Sequence, residues 1–299
     1  MALMASAMSL KLALPNPARV ETTIAYSYEQ SGGFESVRKA THLRYEKVIA
    51  AQEGGYRVSR RTLEFRPTAQ AAAPGVVEAI VDALPARDLT YLADPNLMPQ
   101  SVENWYDLSS RVHSEIAKSA GVDPADGSSI VSLSLWATTS PADAVHYALS
   151  GEVLLARAIG AAFQTGKPVV TEDPRAFLFN GEDIASKSVL SLETIDQARG
   201  IAVLRYRREA DAKALKIILD EVFSDILREH ALVEGGPVDA KNFTAPQFED
   251  TTTCRYEVDL ATGLPTKAEC ENTARRTDLE FLRVITYKER WAITQTLKN

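Results

Sequence analysis

Thr252-Thr253-Cys254-Arg255-Tyr256-Glu257-Val258-Asp259-Leu260-Ala261-Thr262-Gly263-Leu264-Pro265 is the stretch that decides the fold class. Cys254, Tyr256, Val258 and Leu260 share one parity and Thr253, Arg255, Glu257 and Asp259 the other, the period-2 pattern of a half-buried strand. Ala261-Thr262-Gly263 is a short connection, and a return strand begins near Pro265, so the pair is an antiparallel hairpin. If Leu260 faces Leu264, then Cys254 and Cys270 fall directly opposite each other on the apolar face. Facing residues hold their Cβ atoms about 5 Å apart, close enough for a disulfide. These are the only two cysteines of the chain, and the register predicts that they bridge. Two reduced, partly buried thiols are the alternative. A bridge implies an oxidising compartment, hence a periplasmic or secreted protein.

The same alternation recurs on both sides of a helical middle. Thr22, Ile24, Tyr26 and Tyr28 alternate with Thr23, Ala25 and Ser27, and Ser31-Gly32-Gly33 is a turn. A second strand covers about 36–50, and Glu53-Gly54-Gly55 turns it into a third, about 56–65. After the composition shift at 67–74, helical periodicity marks 76–84, ended by Pro85, and 102–120. Thr90-Tyr91-Leu92 and 130–136 read as extended. Ser140 and Pro141 open a helix as N-cap and first residue, expected to run to about Phe163. Strands return at 188–195 and 201–208 around a five-residue loop, and a helix with one apolar stripe covers about 211–229. The last strand puts Phe281, Ile285, Tyr287, Trp291, Ile293 and Leu297 on one parity. Strands, helices, strands, one helix and strands in that order read as α+β. The expected architecture is a single domain over 19–299, an antiparallel meander sheet covered by a helical insert at about 75–165 and by one long helix. Residues 1–18 read as a signal-like or disordered N-terminal arm.

The 299-residue chain is 45% hydrophobic and 24% charged, ordinary for a globular protein with a sizeable core. Its formal net charge of −7 argues against nucleic acid as a partner, which needs a basic face. No segment reaches ~18 apolar residues without charges, so no transmembrane segment is expected. His42, His113, His146 and His230 have no metal-ligand spacing, and no nucleophile elbow, P-loop or dinucleotide fingerprint occurs. Ser36-Val37-Arg38-Lys39 fits Ser-x-x-Lys, but that chemistry needs a helix and these residues enter a strand. Glu172-Asp173 and Glu182-Asp183 lack a calcium-loop pattern. Asn242-Phe243-Thr244 is a formal glycosylation sequon. Neither catalysis, a metal nor a cofactor is expected.

A sheet with amphipathic helices laid over it can enclose an apolar cavity. Trp105, Trp136, Tyr147, Phe177 and Phe179 are the aromatic candidates for its lining, with ordinary core packing as the competing role. The run Tyr256 to Pro265, with its Asp-x-x-Thr-Gly-x-Pro turn, and the closing strand Glu289-Arg290-Trp291-Ala292-Ile293-Thr294 resemble the LolA-like periplasmic lipoprotein-carrier superfamily. That resemblance covers about the last fifth of the chain, and the helical middle departs from it. It implies an incomplete β-barrel lidded by helices that binds a lipid or acyl chain without catalysis. The alternative is a cell-envelope structural or protein-interaction module with a filled core, which would dock an envelope protein. Cavity volume separates the two.

Overall fold

The strands alternate inward and outward side chains so regularly that the sheet can be followed tier by tier. In the computed structural model, β2 (Ala18–Ser31), β3 (Val37–Gln52) and β4 (Gly55–Gln70) form a long-stranded meander. It continues at one edge through β5 (Leu89–Ala93) and β6 (Pro99–Val102). A second meander runs through β11 (Ser186–Asp196), β12 (Ile201–Ala210), β13 (Gln247–Asp259), β14 (Pro265–Asp278) and β15 (Arg283–Lys298), with β8 (Val169–Glu172) on its outer edge, while β9 (Arg175–Ala176) and β10 (Asp183–Ile184) pair with each other. β2 pairs with β15, which makes one open antiparallel sheet of eleven strands, ordered β6-β5-β4-β3-β2-β15-β14-β13-β12-β11-β8. The structure describes residues 7–32, 36–70, 83–120, 139–164, 167–172, 175–176, 183–217, 247–278 and 283–298. The fold is α+β with an open sheet, as the sequence predicts.

Three helices lie among the described residues of the middle: α1 (Trp105–Ala120), α2 (Ala144–Ala148) and α3 (Ser150–Ala156). α1 buries Trp105, Leu108, Val112, Ile116 and Ala117, its i, i+3, i+7 and i+11 stripe with one neighbour, against Leu89, Tyr91 and Val102 of the sheet edge. The middle is therefore not wholly helical, because β5 and β6 extend the sheet there. The single helix expected over 140–163 is instead two short ones. The chain breaks at Leu149 (φ −128°, ψ 22°) and is extended again at β7 (Ala162–Gln164). Apolar periodicity is the same for a straight and a broken helix. The break lets α3 lie close on the sheet, where a Cβ on Gly151 would stand 2.7 Å from Ile24 Cδ1. The helix begins at Ala144 with Asp143 as its N-cap, not at Pro141; Ser140 instead braces the preceding turn, its Oγ accepting the Asp143 N–H at 3.2 Å and its carbonyl the Ala144 N–H at 2.9 Å. Pro85 sits inside a 3₁₀ turn, Leu84–Ala86. A helix covers 212–217. The helix expected at 76–84 up to residue 82, the extended 130–136, and the rest of the 211–229 helix lie outside the described residues.

From residue 7 onward the N-terminal segment packs on the fold. β1 (Ala7–Ser9) pairs with β7, and Leu10 exchanges backbone bonds with Ala161 and Gly160 at 2.9 and 3.1 Å. Leu10 is buried, with Leu12 and Leu14 partly so.

The hairpin around Gly263 brings Cys254 directly opposite Cys270, and the two are disulfide-bonded with Cα atoms 4.1 Å apart. The route to that register differs from the expected one. The turn closes on Asp259 and Leu264, not on Leu260 and Leu264, because the Asp259 N–H donates to the Leu264 carbonyl at 3.0 Å. Asp259 builds that tighter turn with its own side chain, whose Oδ1 accepts the Thr262 N–H and hydroxyl at 2.8 and 2.7 Å. Gly263 supplies the left-handed residue, φ 68°, and a Cβ there would meet the Lys11 carbonyl at 2.3 Å. A one-residue irregularity between Glu257 and Val258 then restores the strand register in which the cysteines face.

The sixteen-residue separation of the bridge predicts that replacing Cys254 and Cys270 together with Ala lowers unfolding free energy by about 3 kcal/mol. Urea unfolding of the variant and of the oxidised and reduced parent measures this, and the reduced parent should match the variant.

Candidate functional site

On the face that carries α2 and α3, inward side chains of directly paired residues form tiers across the sheet. One tier is polar: Ser188, Arg208, Thr252, Asn272, Glu289, Tyr28 and Lys39 follow one another from β11 to β3. The next holds Leu190, Tyr206, the Cys254–Cys270 bridge, Trp291, Tyr26 and Thr41. A third is apolar, with Leu204, Tyr256, Ala268, Ile293, Ile24 and Leu43. Beyond it stand Gln295, Thr22 and Tyr45, and then Leu297, Val20 and Lys47.

α3 is fastened over these lower tiers by a buried polar cluster. Glu152 accepts from Lys47 Nζ at 2.7 Å and from the Tyr45 hydroxyl at 2.5 Å. The Arg60 guanidinium stands 5.0 Å over the Tyr45 ring and donates to the carbonyls of Ala148, Pro85 and Arg87. The Tyr256 hydroxyl donates to the Leu154 carbonyl at 2.8 Å. Burial alone would raise the Glu152 carboxyl, but the Lys47 ammonium, the hydrogen bonds from Lys47 and Tyr45, and the Arg60 charge outweigh it and hold it below the usual range. Burial, then the Glu152 carboxylate, push the Tyr45 hydroxyl well above its ordinary value.

Above this anchored region the helices do not fill the sheet. A cavity of about 430 Å³ remains between α2, α3 and the upper tiers. Its walls are largely apolar, with Ile24, Leu43, Phe65, Leu84, Leu149, Val153, Leu154 and Trp291 among them. Tyr26 and Trp291 meet there with ring centroids 5.4 Å apart. The polar tier gives it a second kind of wall in Arg208, Thr252, Asn272 and Glu289. A more open hollow of about 870 Å³ crosses the middle of six strands at the level of the disulfide.

Of the aromatic residues singled out from the sequence, Tyr147 lines the cavity. Trp105 is fully buried in the α1 packing, where its Nε1–H donates to the Thr139 carbonyl at 2.8 Å. Trp136, Phe177 and Phe179 lie outside the described residues. His146 borders the cavity, while Ser36 precedes a strand rather than opening a helix. Among the described residues no group of three His, Cys, Asp or Glu side chains is placed to hold a metal ion. Sequence reading missed the inward charges Lys47, Arg60, Arg208 and Glu289. Each shares parity with apolar neighbours, Lys47 with Leu43, Tyr45 and Ile49, and Arg208 with Leu204 and Tyr206. A charge on the apolar parity of a strand is a signal that could have found them.

No family model matches this chain, and no curated protein does. Two solved structures align over most of it. The crystal structure of Pseudomonas aeruginosa OccK5 (OpdH) is 7% identical, with 96% of this chain and 99% of that chain covered and a TM-score of 0.29. A domain from Vibrio parahaemolyticus described as an outer membrane lipoprotein-sorting protein is 9% identical, with 93% and 86% covered and a TM-score of 0.15. Likenesses this low carry no argument about fold or function.

Because the Glu152 carboxyl is held low in the folded protein, its stabilisation is fully present above the usual glutamate range and is lost as pH falls through the depressed value. Glu152→Gln leaves Lys47 buried without its counter-charge and should cost about 3 kcal/mol at pH 7. Denaturant titrations from pH 7 downward should show that gap narrowing below about pH 4.3.

Proposed function

We propose that this protein is a non-enzymatic carrier that holds a lipid or acyl chain between its sheet and helices, in the periplasm or after secretion. The observation that carries the reading is the apolar cavity of about 430 Å³, which falls in the range of small-molecule sites. A docking module with no ligand would be expected to fill this interface. The cavity is walled by strands and by helices fastened through buried hydrogen bonds, so its shape does not depend on an occupant. The disulfide supports the assignment to an oxidising compartment. Among the described residues no helix is long and apolar enough to cross a membrane.

The test is binding. Delipidated protein should enhance the emission of a fluorescent fatty-acid analogue saturably, and Val153→Trp, which places an indole in the cavity, should weaken the probe at least tenfold while leaving the unfolding midpoint nearly unchanged. Native mass spectrometry of protein taken from its own host should show a bound lipid. Protein that carries no lipid and binds no probe would overturn the carrier reading in favour of the docking module.

A further inference from the structure

The charge on the cavity wall is one-sided. Among the described residues Lys39, Arg60, Arg157 and Arg208 line it against a single carboxylate, Glu289, in a chain whose net charge is −7. Arg60 is committed to carbonyls of the helical layer. Glu289 is satisfied as well, accepting from the Tyr26 hydroxyl at 2.9 Å and from Asn272 Nδ2 at 3.3 Å.

Arg208 is different. It is 1% exposed, and its Nη2 donates to Asp250 Oδ2 at 2.5 Å and to Thr252 Oγ1 at 3.5 Å. Its Nε and Nη1 have no hydrogen-bond partner. A guanidinium carries five N–H donors, so three of them point to no acceptor in a place that water does not reach. Folded proteins rarely leave cationic donors in that state, because desolvation is then uncompensated, and such a group calls for a functional explanation. Asp250 balances the charge from one side and leaves these donors unfilled. Two residues along β12, on the same face, Tyr206 receives a second guanidinium. Arg157 Nη1 donates to its hydroxyl at 2.5 Å and stacks 5.1 Å over its ring. Arg208 and the Arg157–Tyr206 pair thus occupy neighbouring tiers of β12 on the cavity wall, with Glu289 three strands from Arg208, about 14 Å by strand spacing.

We propose that the corner formed by Arg208 and Arg157 receives the oxyanion head of a single-chain amphiphile, a carboxylate or a phosphate, whose alkyl tail lies along the apolar wall. This rests on the carrier reading and narrows it to anionic ligands. A volume of about 430 Å³, in the lower part of the range for ligand sites, suits one chain rather than two. Arginine is the side chain best matched to such a head, since its hydrogen bonds to an oxyanion are charge-assisted and are strongest out of water.

Three probes of equal chain length test it on the delipidated full chain by calorimetry: palmitate, hexadecyl phosphate and hexadecanol. At least one anion should bind about tenfold or more tighter than the alcohol, and whichever anion does so identifies the head as carboxylate or phosphate. Arg208→Met with Asp250→Asn removes the donor together with its counter-charge, and should abolish the preference while hexadecanol still binds. If that variant does not fold, Arg208→Lys takes its place. It keeps the charge opposite Asp250, lacks the guanidinium's remaining donors and should reduce the preference. Equal affinity for all three probes overturns the headgroup subsite and leaves the carrier reading standing. Failure of all three to bind overturns both. A preference that survives in the folded variant overturns the assignment to Arg208.

Discussion

The pairing of β2 with β15 is the constraint on which the rest depends. These strands meet over thirteen residue pairs and join two meanders formed at opposite ends of the chain. Apart, each meander would present a long raw edge of unpaired backbone groups. Joined, the sheet is edged by the four-residue β6 and β8 and by the stretches of β4 beyond Arg60 and of β11 beyond Leu190. The seam also composes the cavity wall. Tyr26 and Ile24 come from one side of it and Trp291 and Glu289 from the other. Neither meander alone has a complete apolar tier, so cavity and sheet integrity rest on the same contact.

Much of this was legible in the residues because strand alternation is local. The parity of Cys254, Tyr256 and Val258, and that of Trp291 and Ile293, survives as the inward face. The Asp259-to-Gly263 turn is where the sequence puts it, and the cysteine register is right although the turn pairs one residue earlier. What alternation cannot contain is partnership between strands far apart in the chain, and nothing in Thr22 to Tyr28 points to Trp291. Nor does apolar spacing reveal a helix break, because Val145, Leu149 and Val153 keep their period through the interruption at Leu149. Large aromatic side chains suit core and cavity alike, and Trp105 fills the core. The polar residues that give the cavity its character stand out only against the parity of their strands.

The helical layer treats the two ends of the sheet differently. Over the lower tiers it is tied down by a buried ion pair with further hydrogen bonds, an arrangement that fixes orientation more than it adds net stability. Over the upper tiers Arg157 reaches Tyr206, and the space is bounded by a row of polar side chains bonded to one another across the strands, from Arg208 through Thr252 and Asn272 to Glu289. Arg208, Thr252 and Asn272 are themselves buried, and the bonds between them fix the shape of that wall. The fold thus keeps a hollow where packing forces alone would remove one.

The mismatch within the Gly263 hairpin has a last consequence. The turn selects one register and the strands above it select another, one residue away, with the irregularity at Glu257 and Val258 reconciling them. A hairpin that kept the turn's register throughout would send the side chains of one strand to the wrong face, and Cys254 would no longer meet Cys270. Within the paired hairpin the thiols meet only in the correct alignment. The bond therefore acts as a lock on register: once formed, it forbids the one-residue slip that the turn alone would favour.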